Sequence, residues 1–332
     1  MTTTPTLLGD LALEDDYTHP LGPEPNFNES MYFNFFDRGR KSGGFVRLGN
    51  RANEGYAEMT IALYLPDGSV LFQFKRPEVH TNDAMDAGGM RFEVIDTMQR
   101  LRTTYDGSAV HLTDATQMAD PREAFRNNPH RKIHLDLTHE AAGPAYGSSG
   151  SRRQVVDPEK EFAKAHYEQH MRVHGTISVE GSDGTAPQMI EIDGLGLRDH
   201  SWGPRYWQAI HSYRWLTINF APDFGMMVSE IWQSPEQRRQ GGVVVRGDKM
   251  ETITAVDIDT DFDTNGLYHR ELRAHLTLAS GEQLDVSGKV MGFIPLRNRR
   301  EGMTTHVGEG MTEFRCGEHV GYGLSEYLDQ VT

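Results

Sequence analysis

Apolar residues in this chain recur at every second position and almost nowhere at helical spacing. Ala57, Met59, Ile61, Leu63 and Leu65 alternate with Glu58, Thr60 and Tyr64, the pattern of a strand with one buried face. Pro66-Asp67-Gly68-Ser69 then supplies a turn, and Val70, Phe72 and Phe74 resume the alternation, so residues 56–75 predict a hairpin. The same grammar recurs at 102–112 around Asp106-Gly107 and at 173–192 around Asp183-Gly184. It returns from Leu272, Ala274, Leu276 and Leu278 through Gly281 to Leu284 and Val286. Helical signals are confined to Pro121 through Phe125 and to Asp157-Pro158-Glu159 ahead of Phe162 and Ala165. An all-β chain of antiparallel barrels or sandwiches with few short helices follows.

At 332 residues the chain exceeds the size at which one core keeps growing, so two packed units are expected. The helix signal at 157, preceded by the Gly/Ser-rich stretch 143–151, divides it into an N-terminal tail (1–24), one β-rich half (25–156) and a second (157–332). Basic residues number 33 and acidic residues 48, and the resulting charge of −15 repels phosphate backbones and anionic membranes. Nucleic acid is therefore excluded as a partner. Cys316 is the only cysteine, which rules out an intramolecular disulfide, a thiolate zinc site and an iron–sulfur cluster within one chain and fits a reducing compartment. Residues 1–10 do not read as a secretory signal and no later run is long enough to span a bilayer, so a cytoplasmic location without membrane insertion is expected. The sequence leaves a homo-oligomer open.

Gly194-Leu195-Gly196 lacks the third glycine of a dinucleotide fingerprint and no Walker-type run exists, so no nucleotide cofactor is expected. Asp199, His200 and Ser201 are consecutive and cannot form a triad with one another. His166, His170 and His174 share one face at a spacing of four; a solvated histidine face outweighs metal ligation there, and no metal is assigned. Residues 193–207 differ in kind, packing arginines, aspartate, histidine and tryptophans around Gly203-Pro204. One reading is structural, with Asp199 paired to Arg198 or Arg205 and Trp202 plugging a barrel end. The other places the same residues in an apolar pocket, where desolvation raises a carboxyl pKa and makes it a proton donor near neutrality.

Tyr206, Trp207, Tyr213, Trp215 and Trp232, with Met226, Met227, Met291, Met303 and Met311, point to an apolar, adaptable cavity. Near the C-terminus Tyr322, Leu324, Glu326 and Leu328 share a face, on which Glu326 is either a paired core charge or a second acid/base group. Asp83 and Arg91 read as rim or loop residues. Successive strand residues face opposite ways, so Asp199 and His200 cannot both enter one pocket unless the chain bulges.

The run Asp193-Gly194-Leu195-Gly196-Leu197-Arg198-Asp199-His200-Ser201-Trp202-Gly203-Pro204-Arg205, together with Gly321-Tyr322-Gly323-Leu324-Ser325-Glu326-Tyr327-Leu328, resembles the AttH-like and carotenoid-hydratase-like double-lipocalin superfamily. The likeness also touches residues 88–106 and 166–181. It implies two tandem lipocalin-like β-barrel halves and a pocket for hydrophobic, often terpenoid or polyketide-like, molecules, in a group that holds both hydratases and cofactor-free cyclases. It further implies Asp199 as the proton-handling residue, with Trp202 and Arg205 nearby. The resulting expectation is a cofactor-independent lyase, a hydratase, dehydratase or carbon–carbon lyase, acting on a hydrophobic terpenoid or aromatic molecule. Asp199 is its general acid and His200 or Glu326 its base, while Trp202, Arg205, Tyr206, Tyr213, Trp215 and Tyr322 bind substrate. The alternatives are a non-catalytic binder of apolar ligands and a cyclase or isomerase on the same fold.

Overall fold

Alternation becomes strand over most of the chain. The computed structural model describes residues 5–151, 157, 162–181, 185–300 and 302–331. They fall into two units, residues 1–113 with 125–206 and residues 114–124 with 207–332.

The first unit contains β1 (Leu7–Gly9), β2 (Phe27–Asp37), β3 (Ser42–Arg51), β4 (Tyr56–Tyr64), β5 (Val70–Lys75), β6 (Asp86–Ala87), β7 (Met90–Asp96), β8 (Arg100–Leu112), β9 (His130–Ala141), β10 (Ala145–Ser148), β11 (Ala165–Val179) and β12 (Gln188–Pro204). Strands β11, β12, β2, β3, β4, β5, β8 and β9 are hydrogen-bonded in that order, and β9 pairs back with β11, so the ladder returns to its start. Closure leaves no edge in that ring to template aggregation. Met31, Phe33, Val46, Leu48, Met59 and Ile61 fill its interior.

The second unit is a closed barrel of β13 (Ser212–Ala221), β14 (Phe224–Ser234), β15 (Gln237–Arg246), β16 (Lys249–Phe262), β17 (His269–Leu278), β18 (Gln283–Arg300), β19 (Met303–Cys316) and β20 (His319–Gln330), each paired with the next and β20 with β13. Leu216, Ile218, Met226, Val228, Phe314 and Tyr327 lie in its core. The tandem lipocalin-like expectation therefore holds.

The boundary does not fall where composition put it. It lies between Tyr206 and Trp207, because β11 and β12 are needed to close the first ring against β9 and β2. The Arg198–Arg205 run thus belongs to the first unit, and the Gly/Ser-rich stretch 143–151 contains β10. The hairpins at 56–75 and 272–286 form as expected, and Pro121–Asn127 is the one α-helix among the described residues. Residues 102–112 do not turn at Asp106-Gly107: both continue a single strand, opposite His134 and Ile133 of β9. The turn residues 182–184 and most of the helix at 157, residues 158–161, lie outside the described residues, and Ala165 already begins β11.

Residues 5–24 are not a tail either. β1 runs parallel to β10, and a 3₁₀ turn at Leu13–Asp16 delivers Asp16 into the interior of the first unit. There Arg198, with no exposed surface, lies 2.5 Å from Asp16 through Nη1, donates to Gln169 Oε1 through Nε (3.0 Å) and Nη2 (2.7 Å), and covers the Tyr167 ring at 5.0 Å. Tyr167 Oη donates to the same Asp16 carboxylate (2.9 Å), as does the backbone N–H of Met98. Met98 is in the left-handed region (φ 58°), which costs an L-residue about 1–2 kcal/mol, and this bond together with Gln169 Nε2 on its carbonyl (3.2 Å) holds it there.

Burial disfavours the Asp16 carboxylate, but the Arg198 charge and these donors outweigh it and keep its pKa below the usual 3.8. Removing one partner of such a buried pair strands the other, so Asp16→Ala is expected to cost about 3–5 kcal/mol in denaturant unfolding at neutral pH. Since the folded-state pKa is the lower one, this stabilisation is present above about pH 4 and is lost as pH falls through the folded value. Acid titration of wild type against Asp16→Ala checks it: the gap between the two closes at low pH.

Candidate functional site

A period of two along β12 divides its residues between two faces. Arg198, His200 and Trp202 point into the first barrel, while Leu197, Asp199 and Ser201 occupy the opposite face. Glycine sets how closely β12 approaches β2: a Cβ on Gly194 or Gly196 would run into the carbonyl oxygens of Phe36 and Asn34. The Gly-Leu-Gly run thus serves strand packing.

On the outer face five residues stand opposite one another on neighbouring strands: Tyr146 on β10, Glu168 on β11, Asp199 on β12, Tyr32 on β2 and Arg47 on β3. Directly opposed residues have Cβ atoms about 4.5–5.5 Å apart, so these side chains form one row. Glu168, Tyr32 and Tyr146 are buried, and Ser201 and His170 flank the row, also buried. His166, exposed, brings its ring within 4.8 Å of the Glu168 and Asp199 carboxylates. Arg47 donates to Ser30 Oγ (3.1 Å) and pairs with the Glu58 carboxylate (3.3 Å), which fixes its guanidinium in place.

Asp199 retains some surface, yet desolvation by the surrounding protein raises its carboxyl pKa above 3.8 in spite of His166, Arg205, His200 and Arg47. Burial, with Glu168 and Asp199 nearby, pushes the Tyr146 phenol well above its ordinary range, so it stays neutral. The row therefore combines a carboxyl with a raised pKa, a second carboxyl across the ladder and, in Tyr146, a phenol that keeps its proton.

The other predicted site residues distribute differently. His200 is on the inner face, its Nε2 2.6 Å from Glu29 Oε1, and is not beside Asp199 as a second acid/base group. His19 Nδ1 reaches the same oxygen (3.0 Å), and its Nε2 reaches Asp15 (3.3 Å). Although burial opposes a charge on His19, the Glu29 and Asp15 carboxylates raise its pKa. Trp202 stacks on His19 with ring centroids 3.9 Å apart, so it is part of the interior packing and not the wall beside Asp199. Arg205 follows β12, its guanidinium 4.4 Å over the Phe162 ring, with Tyr206 next to it at the end of the first unit.

Tyr213, Trp215, Tyr322 and Glu326 all belong to the second unit. Trp215 faces Glu326 across β13 and β20, Glu326 faces the buried Glu309, and Tyr322 donates to Glu313 (3.1 Å). Their neighbours Leu216 and Tyr327 are the lumen residues, so these four stand on the outward face of the barrel wall and not in its interior cavity. The methionines scatter: Met226 and Met311 are buried and Met291 is 47% exposed. Inside this barrel Ser325 Oγ lies 2.8 Å from His269 Nε2, but Thr312 shares the hydroxyl and burial pushes the imidazole down to about 3, which suits a structural network better than a nucleophile and base.

Sequence reasoning missed Glu168, Tyr32, Tyr146 and Arg47. Glu168 was within reach, since period two places it between His166 and His170 on the histidine face; the other three come from strands that only the register brings alongside.

Among solved structures the chain is similar along its length to an assigned AttH of Nitrosomonas europaea, NE1406 (TM-score 0.65, 16% identity, 98% of this chain and 99% of that one). It is also similar to kievitone hydratase of Nectria haematococca (0.56, 11%, 99% and 98%) and to CghA (0.56, 14%, 97% and 96%), the latter solved also with Sch210972. At these identities the likeness establishes the AttH-like lipocalin fold and no particular reaction. A search of curated proteins gave no significant match. No helix among the described residues is long and apolar enough to cross a membrane. The profile of the domain of unknown function DUF7064 matches residues 12–331, and the chain belongs to that family.

Proposed function

We propose that this protein is an acid/base lyase of the hydratase or dehydratase type, transferring a proton between Asp199 and a largely apolar small molecule. The observation that carries this reading is the desolvated Asp199 carboxyl, raised in pKa among positively charged neighbours and opposed across the ladder by Glu168. In the hydration direction Asp199 gives its proton to an olefinic carbon, and the adjacent carbon becomes electron-poor. Water adds there and loses a proton to Glu168, and return of that proton to Asp199 closes the cycle; dehydration runs the same steps backwards. Tyr146 presents a neutral phenol, and Tyr32 and then Arg47 continue the row beyond Asp199. Kievitone hydratase, by its name, hydrates kievitone on the same fold, which supports water addition as chemistry this scaffold accommodates.

Kievitone is therefore the first compound to assay. Asp199→Asn is expected to lower kcat by roughly 100-fold or more with binding of the compound retained, and Glu168→Gln to lower it by a smaller factor. The wild-type rate falls as pH rises through the Asp199 value, because the donor must be protonated. Saturable binding without turnover in wild type, unaltered in Asp199→Asn, would identify a ligand-binding protein instead.

A second expectation needs no substrate. A raised folded-state pKa means that ionising Asp199 destabilises the fold progressively as pH climbs above about 4. Asp199→Asn therefore melts at or above the wild-type temperature at neutral pH, and the difference vanishes towards pH 4; a variant less stable than wild type at neutral pH would refute the desolvated carboxyl.

A further inference from the structure

The proposed lyase leaves unused the cluster on the inner face of β12. His19, Glu29 and His200 come from the segment before β2, from β2 and from β12, and their donor atoms lie within 4.8 Å of one another. Both imidazoles aim at a single oxygen, Glu29 Oε1, at 3.0 Å from His19 Nδ1 and 2.6 Å from His200 Nε2. The Glu29 side chain has no exposed surface and that of His200 1%, whereas that of His19 keeps 18%, so His19 is the side from which solvent reaches the cluster.

On His19 and Glu29 the atoms pointing away from this convergence are held as the outer partners of a metal site usually are, while His200 Nδ1 is buried with no hydrogen-bond partner among the described residues. His19 Nε2 is turned to Asp15 Oδ1 (3.3 Å), whose other oxygen takes the Ala12 N–H (2.8 Å). Glu29 Oε2 accepts the His19 N–H (3.1 Å) and Asn82 Nδ2 (3.1 Å), and Asn82 Oδ1 is in turn fixed by Asn50 Nδ2 (3.0 Å). Trp202 stacked on His19 and the Tyr167 ring 5.5 Å from His200 leave the imidazoles little freedom to turn.

Charge points the same way. Arg198 is matched to Asp16, which leaves Asp15 and Glu29 as two carboxylates around the imidazoles. We propose that His19, Glu29 and His200 bind one divalent transition-metal ion, zinc among the available metals, which ties the N-terminal segment to β2 and β12. Two imidazoles and a carboxylate suit zinc at about 2.0–2.2 Å, and a tetrahedral arrangement at that range needs donors about 3.4 Å apart, an opening of less than about 1 Å for each histidine–carboxylate distance, with the two imidazole nitrogens within 4.8 Å of one another. The ion would be structural with respect to the proposed chemistry, because His200 and Asp199 leave β12 on opposite faces.

The test uses the full-length chain, freed of metal with a chelator and titrated with Zn²⁺ by calorimetry, with metal content and thermal unfolding measured in parallel. One zinc per chain and a rise in melting temperature on loading are expected. His19→Gln, a partly exposed position, is expected to weaken binding more than about 100-fold, and Asp15→Asn, which removes only an outer partner, by about 10–100-fold. Near-UV circular dichroism reports whether each variant folds, and Asp15→Asn carries the test if His19→Gln does not. His166→Asn and Asp199→Asn, on the other face, keep full affinity. Absence of zinc binding in wild type, unchanged affinity in a folded His19→Gln or Asp15→Asn, or loss in His166→Asn instead, each overturns the proposal. None of these readouts depends on turnover, so failure here leaves the lyase reading standing, and the reverse.

Discussion

A guanidinium with no exposed surface is the constraint around which the first barrel is organised. Arg198 cannot be buried without an anion and further acceptors, and none of its strand neighbours on β12 supplies them on the inner face. The chain meets this with Asp16, carried in from 182 residues away, and with Gln169 from the adjoining strand. Asp16 can arrive only if residues 7–16 lie against β10 and fold into a 3₁₀ turn, and Met98 adopts its left-handed conformation to donate to the same carboxylate. What looks in the sequence like an appended N-terminus is the counter-ion of the central motif.

The next residue along β12 has the opposite electrostatics. Asp199 points to the other face, where burial is not offset by an equivalent partner, and its carboxyl is pushed towards the neutral form, while Asp16 within the barrel is held ionised. Two aspartates served by one strand thus have opposite pH dependences, and period two is what separates them. The odd and even positions of this charge-dense motif face different surroundings and never meet.

Both barrels contain histidines that burial keeps neutral, among them His139 in the first and His269 in the second, each pushed down to about 3. Such rings are poor proton carriers near neutrality and behave as polar packing. Histidine abundance by itself therefore says little about proton transfer here.

The sequence by itself determined the strands, the hairpins at 56–75 and 272–286 and the presence of two barrels, since each of these depends on local period, turn chemistry or one contiguous motif. It also determined that Asp199 and His200 must diverge, because side-chain direction along a strand is a backbone property. Tertiary structure decided the rest. Which strands close the first ring, and hence that the boundary lies after Tyr206, depends on hydrogen-bond partners far apart in the chain. That Glu168 faces Asp199, that Trp202 packs on His19 and that Glu326 sits in a different unit are consequences of register between strands, and register is set by long-range pairing that no local pattern encodes.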